Sequence, residues 1–172
     1  MLGAATATSP IGNSRRLLLI VWIFVAIVVG LLSFADYSFG LMSAARAYVG
    51  GEGLWSKAQK DAVLALSRYV AEQKPRDYQD FQDALQVSLG DRRARLELDK
   101  PSPDWKTAAD GFMQGRNHPE DVDGMIRLYR NFRSVPELAK AIGIWSAADA
   151  GIDQLIVLGD QIHAAAQVGA LD

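Results

Sequence analysis

The stretch RRLLLIVWIFVAIVVGLLSFAD, residues 15–36, decides how the chain is to be read. Between Arg16 and Asp36 there is no charged residue, and Leu17, Ile20, Trp22, Phe24 and Val25 typify the content. A helix crossing the hydrocarbon core needs about 20 apolar residues, and this run supplies that length. Arg15 and Arg16 stand directly before it, and Asp36 is the first charge after it. Cytoplasmic flanks carry the excess of Lys and Arg. The pattern therefore predicts residues 1–16 as a cytoplasmic tail, 17–35 as a transmembrane helix and 36–172 as a translocated domain. A cleaved signal peptide has a shorter apolar region that ends at small residues. Here the run closes in Leu31, Leu32, Ser33, Phe34 and Ala35, with Tyr37 and Phe39 beyond, the aromatic pattern of a membrane interface. An uncleaved anchor is expected. Within it Ala26 and Gly30 share one face as a small-xxx-small pair, the expected transmembrane contact of a homodimer.

The chain has 172 residues, enough for one domain beside the anchor. All 20 acidic residues lie beyond the apolar run, as do all basic ones except Arg15 and Arg16. That acidic balance gives no electrostatic reason to expect nucleic acid as a partner. There is no cysteine. The composition suits an oxidising compartment and excludes disulfides, thiolate metal sites and cysteine nucleophiles.

Proline and glycine punctuate the remainder into helices, and no segment alternates as a strand would. The first stretch runs from about Asp36 to Lys74, continuous or broken at residues 50–53, with Leu54, Ala58, Ala62, Ala65 and Tyr69 on one face. Lys74 before Pro75 ends it. The second spans about Asp77 to Leu98, with Tyr78, Phe81, Leu85, Leu89 and Leu96 as its apolar side. Ser102 and Pro103 read as N-cap and first residue of a short helix reaching Gln114. Pro119 opens a helix carrying Met125, Ile126, Leu128, Tyr129 and Phe132. Pro136 begins the last, where Leu138, Ile142, Trp145, Ile152, Leu155 and Ile162 form a stripe. The expected fold is all-α: one N-terminal transmembrane helix, then an antiparallel bundle of four-helix type whose first and last helices point toward the membrane.

The segment from Ala44 to Asp61, AARAYVGGEGLWSKAQKD, resembles the opening of a periplasmic sensor region. Residues 89–95 (LGDRRAR) and 115–121 (GRNHPED) are similar to further parts of it. Such regions occur at the N-terminus of bacterial cyclic-di-GMP enzymes of the GGDEF/EAL type and of some sensor histidine kinases. The resemblance implies the bacterial inner membrane, a periplasmic bulk and a role in signal input. In that family a second transmembrane helix and a cytoplasmic output domain follow. Residues 156–171 hold Asp160, Gln161, His163 and Gln167 and read as no second span, so the chain is expected to be the sensor portion of a longer protein.

Several groups invite a chemical reading. Gly50, Gly51, Glu52 and Gly53 do not make a cyclase signature, because Gly53 stands where an acid is required and Leu54 where Phe is. They also follow no strand, and no Gly-Lys-Ser/Thr comes after them, so a joint near the membrane is the expectation. Arg46, Tyr48, Trp55, Lys57 and Lys60 combine cations with aromatics, which suits a carboxylate or phosphate ligand. Arg92, Arg93 and Arg95 oppose the negative end of a helix dipole, unless a pocket lies beside them. Arg127, Arg130 and Arg133 read as a solvated face. His118 with Glu120, Asp121 and Asp123 suits a helix N-terminus better than a metal. With two histidines and no nucleophile motif, no catalytic constellation emerges. The expectation is a non-enzymatic sensor without cofactor or metal, responding to a small periplasmic ligand or protein. A membrane-anchored scaffold with no signalling output is the alternative.

Overall fold

The computed structural model describes residues 10–170, with side chains from Ser14 onward. All five regular elements among them are α-helices: α1 (Pro10–Glu72), α2 (Pro75–Leu98), α3 (Trp105–Gln114), α4 (Pro119–Phe132) and α5 (Pro136–Gln167). Of the tail expected over 1–16, residues 1–9 lie outside the described part, and Pro10 is already helical. The chain divides into two compact units, Met1–Gly40 and Leu41–Asp172.

The first unit is one stretch of α1. Its side chains from Leu17 to Phe34 are almost all solvent-facing, and its most apolar window has a mean hydropathy of 3.0. It is long and apolar enough to cross a membrane.

The second unit is a helical bundle. The apolar run and the first bundle helix both belong to α1, a helix of 63 residues that continues through residues 50–53. Each glycine costs a helix interior about 1 kcal/mol relative to Ala. Tertiary packing offsets that cost at Gly51, where a Cβ would stand 2.8 Å from Asn117 Oδ1. Gln73 closes α1 in the left-handed region at φ 51°, and its N–H bonds Tyr69 O at 2.8 Å. Pro75 then starts α2 at once, since proline lacks only an N–H that the first turn leaves unused.

Side-chain pairs fix the helix directions. Tyr69 meets Tyr78, and Arg95, Arg92 and Tyr78 of α2 bond Asp149, Asp153 and Asp160 of α5 in that order. The helix α2 is therefore antiparallel to both α1 and α5. Tyr48 stacks on Trp145 while Tyr69 bonds His163, so α5 runs parallel to α1. The sequence predicts a last helix that returns toward the end of the bundle at which α1 enters; α5 instead starts beside Tyr48 and ends beside Tyr69. Its acids Asp149, Asp153 and Asp160 turn to partners on α2. Yet α5 is also long and apolar enough to cross a membrane, its most apolar window reaching a mean hydropathy of 1.3, where the sequence predicts no second span.

Three smaller expectations also shift. The cap of α3 is Asp104, which accepts from Lys106 N at 3.0 Å, rather than Ser102. Leu96 is half exposed, one position off the α2 stripe. Ala44 is buried, with Gly124 of α4 lying against its Cβ, and Ala47 packs on the core. These alanines admit α4 of the same chain.

Two cores result. Ala62, Ala65, Leu66, Tyr69, Phe81, Leu85 and Ile152 form one from α1, α2 and α5 alone. Tyr48, Leu98, Phe112, Met125 and Tyr129 form the other, where α3 and α4 join.

Candidate functional site

The second core is organised by a backbone contact between α2 and α3. A Cβ at Gly90 would stand 2.6 Å from Gly115 N, and one at Gly111 would stand 2.7 Å from Ala94 N. Only glycine permits that approach. It places Gly115 directly against the Asp91 carboxylate and brings Asn117 within reach. Asn117 Nδ2 donates to Asp91 Oδ1 at 3.0 Å and to Phe112 O at 3.0 Å. Its carbonyl side faces Gly51 of α1. Three segments distant in sequence thus meet at one carboxyl group.

Beside Asp91 lies a cavity of about 50 Å³. At about 10–15 Å³ per water it has room for a few waters or a molecule of a few heavy atoms. Tyr48, Gly51, Glu52 and Trp55 line it from α1, and Ser88, Asp91, Arg92 and Arg95 from α2. Phe112 and Asn117, Met125 and Tyr129, and Trp145 and Asp149 complete it. Tyr48 is the centre of its aromatic wall. It stacks on Trp145 with centroids 5.9 Å apart and planes at 11°, and meets Phe112 edge-on at 6.1 Å.

The charges are unevenly compensated. Arg95, with a side chain 9% exposed, pairs with Asp149 and donates to Ser146 Oγ at 2.8 Å. Arg92 bonds Asp153 at 2.6 Å and approaches Asp149 at 3.6 Å. Both guanidinium groups are thereby committed to α5. Asp91 has no cation within ion-pair distance among the described residues; its recorded partner is the neutral amide of Asn117. Burial pushes the Asp91 carboxyl up to about 7, opposed by the Asn117 hydrogen bond. Burial, with smaller contributions from Tyr129 and Asp91, raises the Tyr48 phenol well above its ordinary value. It stays neutral and donates to Met125 O at 3.2 Å. Tyr129, likewise raised by burial first, donates to Asp99 at 2.9 Å.

Of the five ligand candidates from the sequence, Tyr48 and Trp55 line the cavity. Arg46, Lys57 and Lys60 are exposed and lie outside its lining. Ala26 and Gly30 are exposed on the first unit, with nothing within 4 Å of a Cβ at Gly30. The pocket that would make the Arg92 and Arg95 group more than a dipole partner is present, whereas Arg93 faces solvent. Arg130 donates to the carbonyls of Leu98 and Lys100, and Arg133 pairs with Asp99 at 3.0 Å. His118 caps α4, accepting from Glu120 N at 3.3 Å. His163 bonds Tyr69.

Sequence reasoning passed over Asp91 as a site residue, along with Asn117, Phe112, Trp145 and Asp149. The available signal was the glycine spacing: Gly111 and Gly115 lie four residues apart at the end of α3, and Gly90 adjoins an acid. Such spacing marks a close helix contact at which a buried acid needs a reason. Comparison with protein-family models, with curated proteins and with solved structures finds no match to this chain.

Proposed function

We propose that this chain is the non-catalytic signal-input region of a membrane-anchored bacterial signal-transduction protein, receiving a small ligand on the periplasmic side. The observation that carries the reading is the cavity: a partly open space in the bundle, lined by aromatics, with a half-buried carboxyl that the protein leaves without a counter-ion. A structural core of this size has no need of such a group, since an uncompensated buried charge costs stability. The helix α1 contributes both the apolar run and the wall formed by Tyr48, Gly51 and Trp55. A ligand that binds one setting of that wall better than another therefore biases α1, and differential affinity is what signalling requires. The resemblance of residues 44–61 to periplasmic sensor regions supports the same assignment. Arg15 and Arg16 before the run support a cytoplasmic N-terminus. Inner-membrane location and a homodimer through Ala26 and Gly30 belong to this reading, since paired receptors read a signal as a shift between helices.

Alkaline phosphatase fused after Lys74 or Asp99 should be active and β-galactosidase inactive at the same points. The opposite pattern at either point overturns the orientation. For the dimer, single Ala26→Cys and Gly30→Cys variants of this cysteine-free chain should cross-link strongly in native membranes, and Ile27→Cys and Val28→Cys weakly. Uniform cross-linking along the run overturns that contact.

A scaffold without output is the second reading. The exposed apolar side chains Ile144, Val157 and Leu158 on α5 favour it, because such surface suits a protein partner. It requires no small ligand, and the occupancy of the cavity separates the two.

A further inference from the structure

We propose that the cavity takes a small organic cation, a primary ammonium group, with the Asp91 carboxylate as counter-ion and the aromatic side chains of Tyr48, Trp55 and Trp145 as walls. The inference rests on the reading of this chain as a ligand receiver and adds the chemical class.

Charge decides the sign of the ligand. The titratable groups facing Asp91 across the cavity are Tyr48 and Glu52 from α1, Arg92 and Arg95 from α2, Tyr129 from α4 and Asp149 from α5. The two guanidinium groups are held by Asp149, Asp153 and Ser146. The two phenols donate to Met125 O and to Asp99. An anion entering the cavity would find its cations already engaged and would meet Glu52 and Asp91 besides. An ammonium group finds the reverse. Its N–H groups meet the acceptor capacity that Asn117 leaves open on Asp91, and its charge lies among aromatic side chains, the residue type that tolerates a cation best. Arg95 stands one helical turn from Asp91, a spacing at which the two would pair, yet it turns to α5 instead. Asp91 is thus left to a cation from outside the chain.

Size decides the class. A cavity of about 50 Å³ holds a group of a few heavy atoms, which fits an alkylammonium head and excludes a nucleotide or a polyamine taken whole. Binding needs Asp91 ionised. Since its carboxyl stands at about 7, affinity rises with pH up to that value and levels above it.

The test uses the full chain in neutral detergent micelles, read by tryptophan fluorescence, because Trp55 and Trp145 line the cavity. Methylammonium chloride is the probe, sodium acetate the anionic counter-probe and sodium chloride the ionic-strength control. Methylammonium has two heavy atoms, so its Kd is expected in the millimolar range, about 6 mM at the tightest. A saturable response to it at pH 8 is expected, with none to acetate. Affinity should fall about fivefold between pH 7 and pH 6 and about tenfold more by pH 5. Asp91→Asn should weaken binding at least tenfold and remove the pH dependence. An equal response to acetate, an unchanged affinity in Asp91→Asn or the absence of saturation by methylammonium overturns the assignment. The pH series on the unmodified chain decides the matter even where the variant does not fold. None of these failures touches the fusion result, so loss of the ligand class is distinguishable from loss of the membrane topology.

Discussion

The two cores of the bundle share α1, α2 and α5, and only one of them also takes in α3 and α4. Around Phe81 three helices suffice, and the polar groups there close on one another. Tyr78 stacks on His163 at 3.9 Å and donates to Asp160 at 2.9 Å, while Tyr69 bonds His163 Nδ1 at 2.8 Å. Gly159 of α5 lies directly on the Phe81 ring, which leaves no space between the helices. Around Tyr48 five helices converge, and the larger perimeter leaves a hole. Its buried polar side chains are paired too, but Asp91 is held there by a neutral amide and by no cation among the described residues. Close packing is the default of protein interiors, so the filled core needs no functional explanation and the unfilled one does. The difference teaches that helices which pack without gaps at one core leave space at another where more of them converge.

Core truncation tests that division with the largest effect. Phe81 is 1% exposed and packed on all sides, whereas Phe112, 4% exposed, already borders the cavity. Truncating a phenylalanine removes burial and leaves a void, at a total cost of about 3–5 kcal/mol. A ring beside an existing hole has fewer contacts to lose. Phe81→Ala should therefore lie near 4–5 kcal/mol and Phe112→Ala near 3 kcal/mol in urea unfolding of the bundle. The ligand response should survive the first, measured where the variant is still folded, and suffer in the second. Equal costs, or the reverse order, would show that the two cores are packed alike.

The filled core was legible in the sequence and the open one was not, for a physical reason. Pro75, Pro119 and Pro136 open helices as expected, because proline acts within one turn of itself. Ala58, Ala62, Ala65 and Tyr69 fall on a buried face because helix period alone places them there. Ser102 misled because Asp104, two residues on, offers a carboxylate that also accepts from Thr107 Oγ1 at 2.7 Å. The site depends on contacts that no local rule contains. Asp91 and Asn117 meet only because Gly90, Gly111 and Gly115 let two backbones touch. Arg95 and Asp149 meet only because α5 runs antiparallel to α2, a direction the punctuation does not encode. Tyr48 and Trp55 were found since they share α1 with the anchor and lie seven residues apart, on nearly one face. The cations Arg46, Lys57 and Lys60 were grouped with them by nearness in sequence, whereas helical geometry turns them outward.

The smallest effect belongs to Asp91, and its sign carries the information. An acid whose folded value is raised ionises in the unfolded chain first. Below about pH 4 both states hold the proton and Asp91 contributes nothing. As pH rises from about 4 to 7 the unfolded state loses its proton while the folded state keeps it, so this contribution lowers stability with increasing pH. Above 7 the penalty is complete, with a ceiling of about 4 kcal/mol for three pH units. Asp91→Asn removes the charge and retains the acceptor for Asn117. The variant should thus be more stable than the parent at pH 8, by no more than that ceiling, and equal to it at about pH 3, in urea unfolding at each pH. A structural acid behaves otherwise, because its removal breaks a contact that holds the fold. A loss of stability at pH 8 would mean that Asp91 is compensated from within and that the contrast between the two cores fails at its centre. A gain at pH 8 that methylammonium can reproduce in the parent, and cannot increase in Asp91→Asn, ties the stability cost of the open core to the ligand it receives.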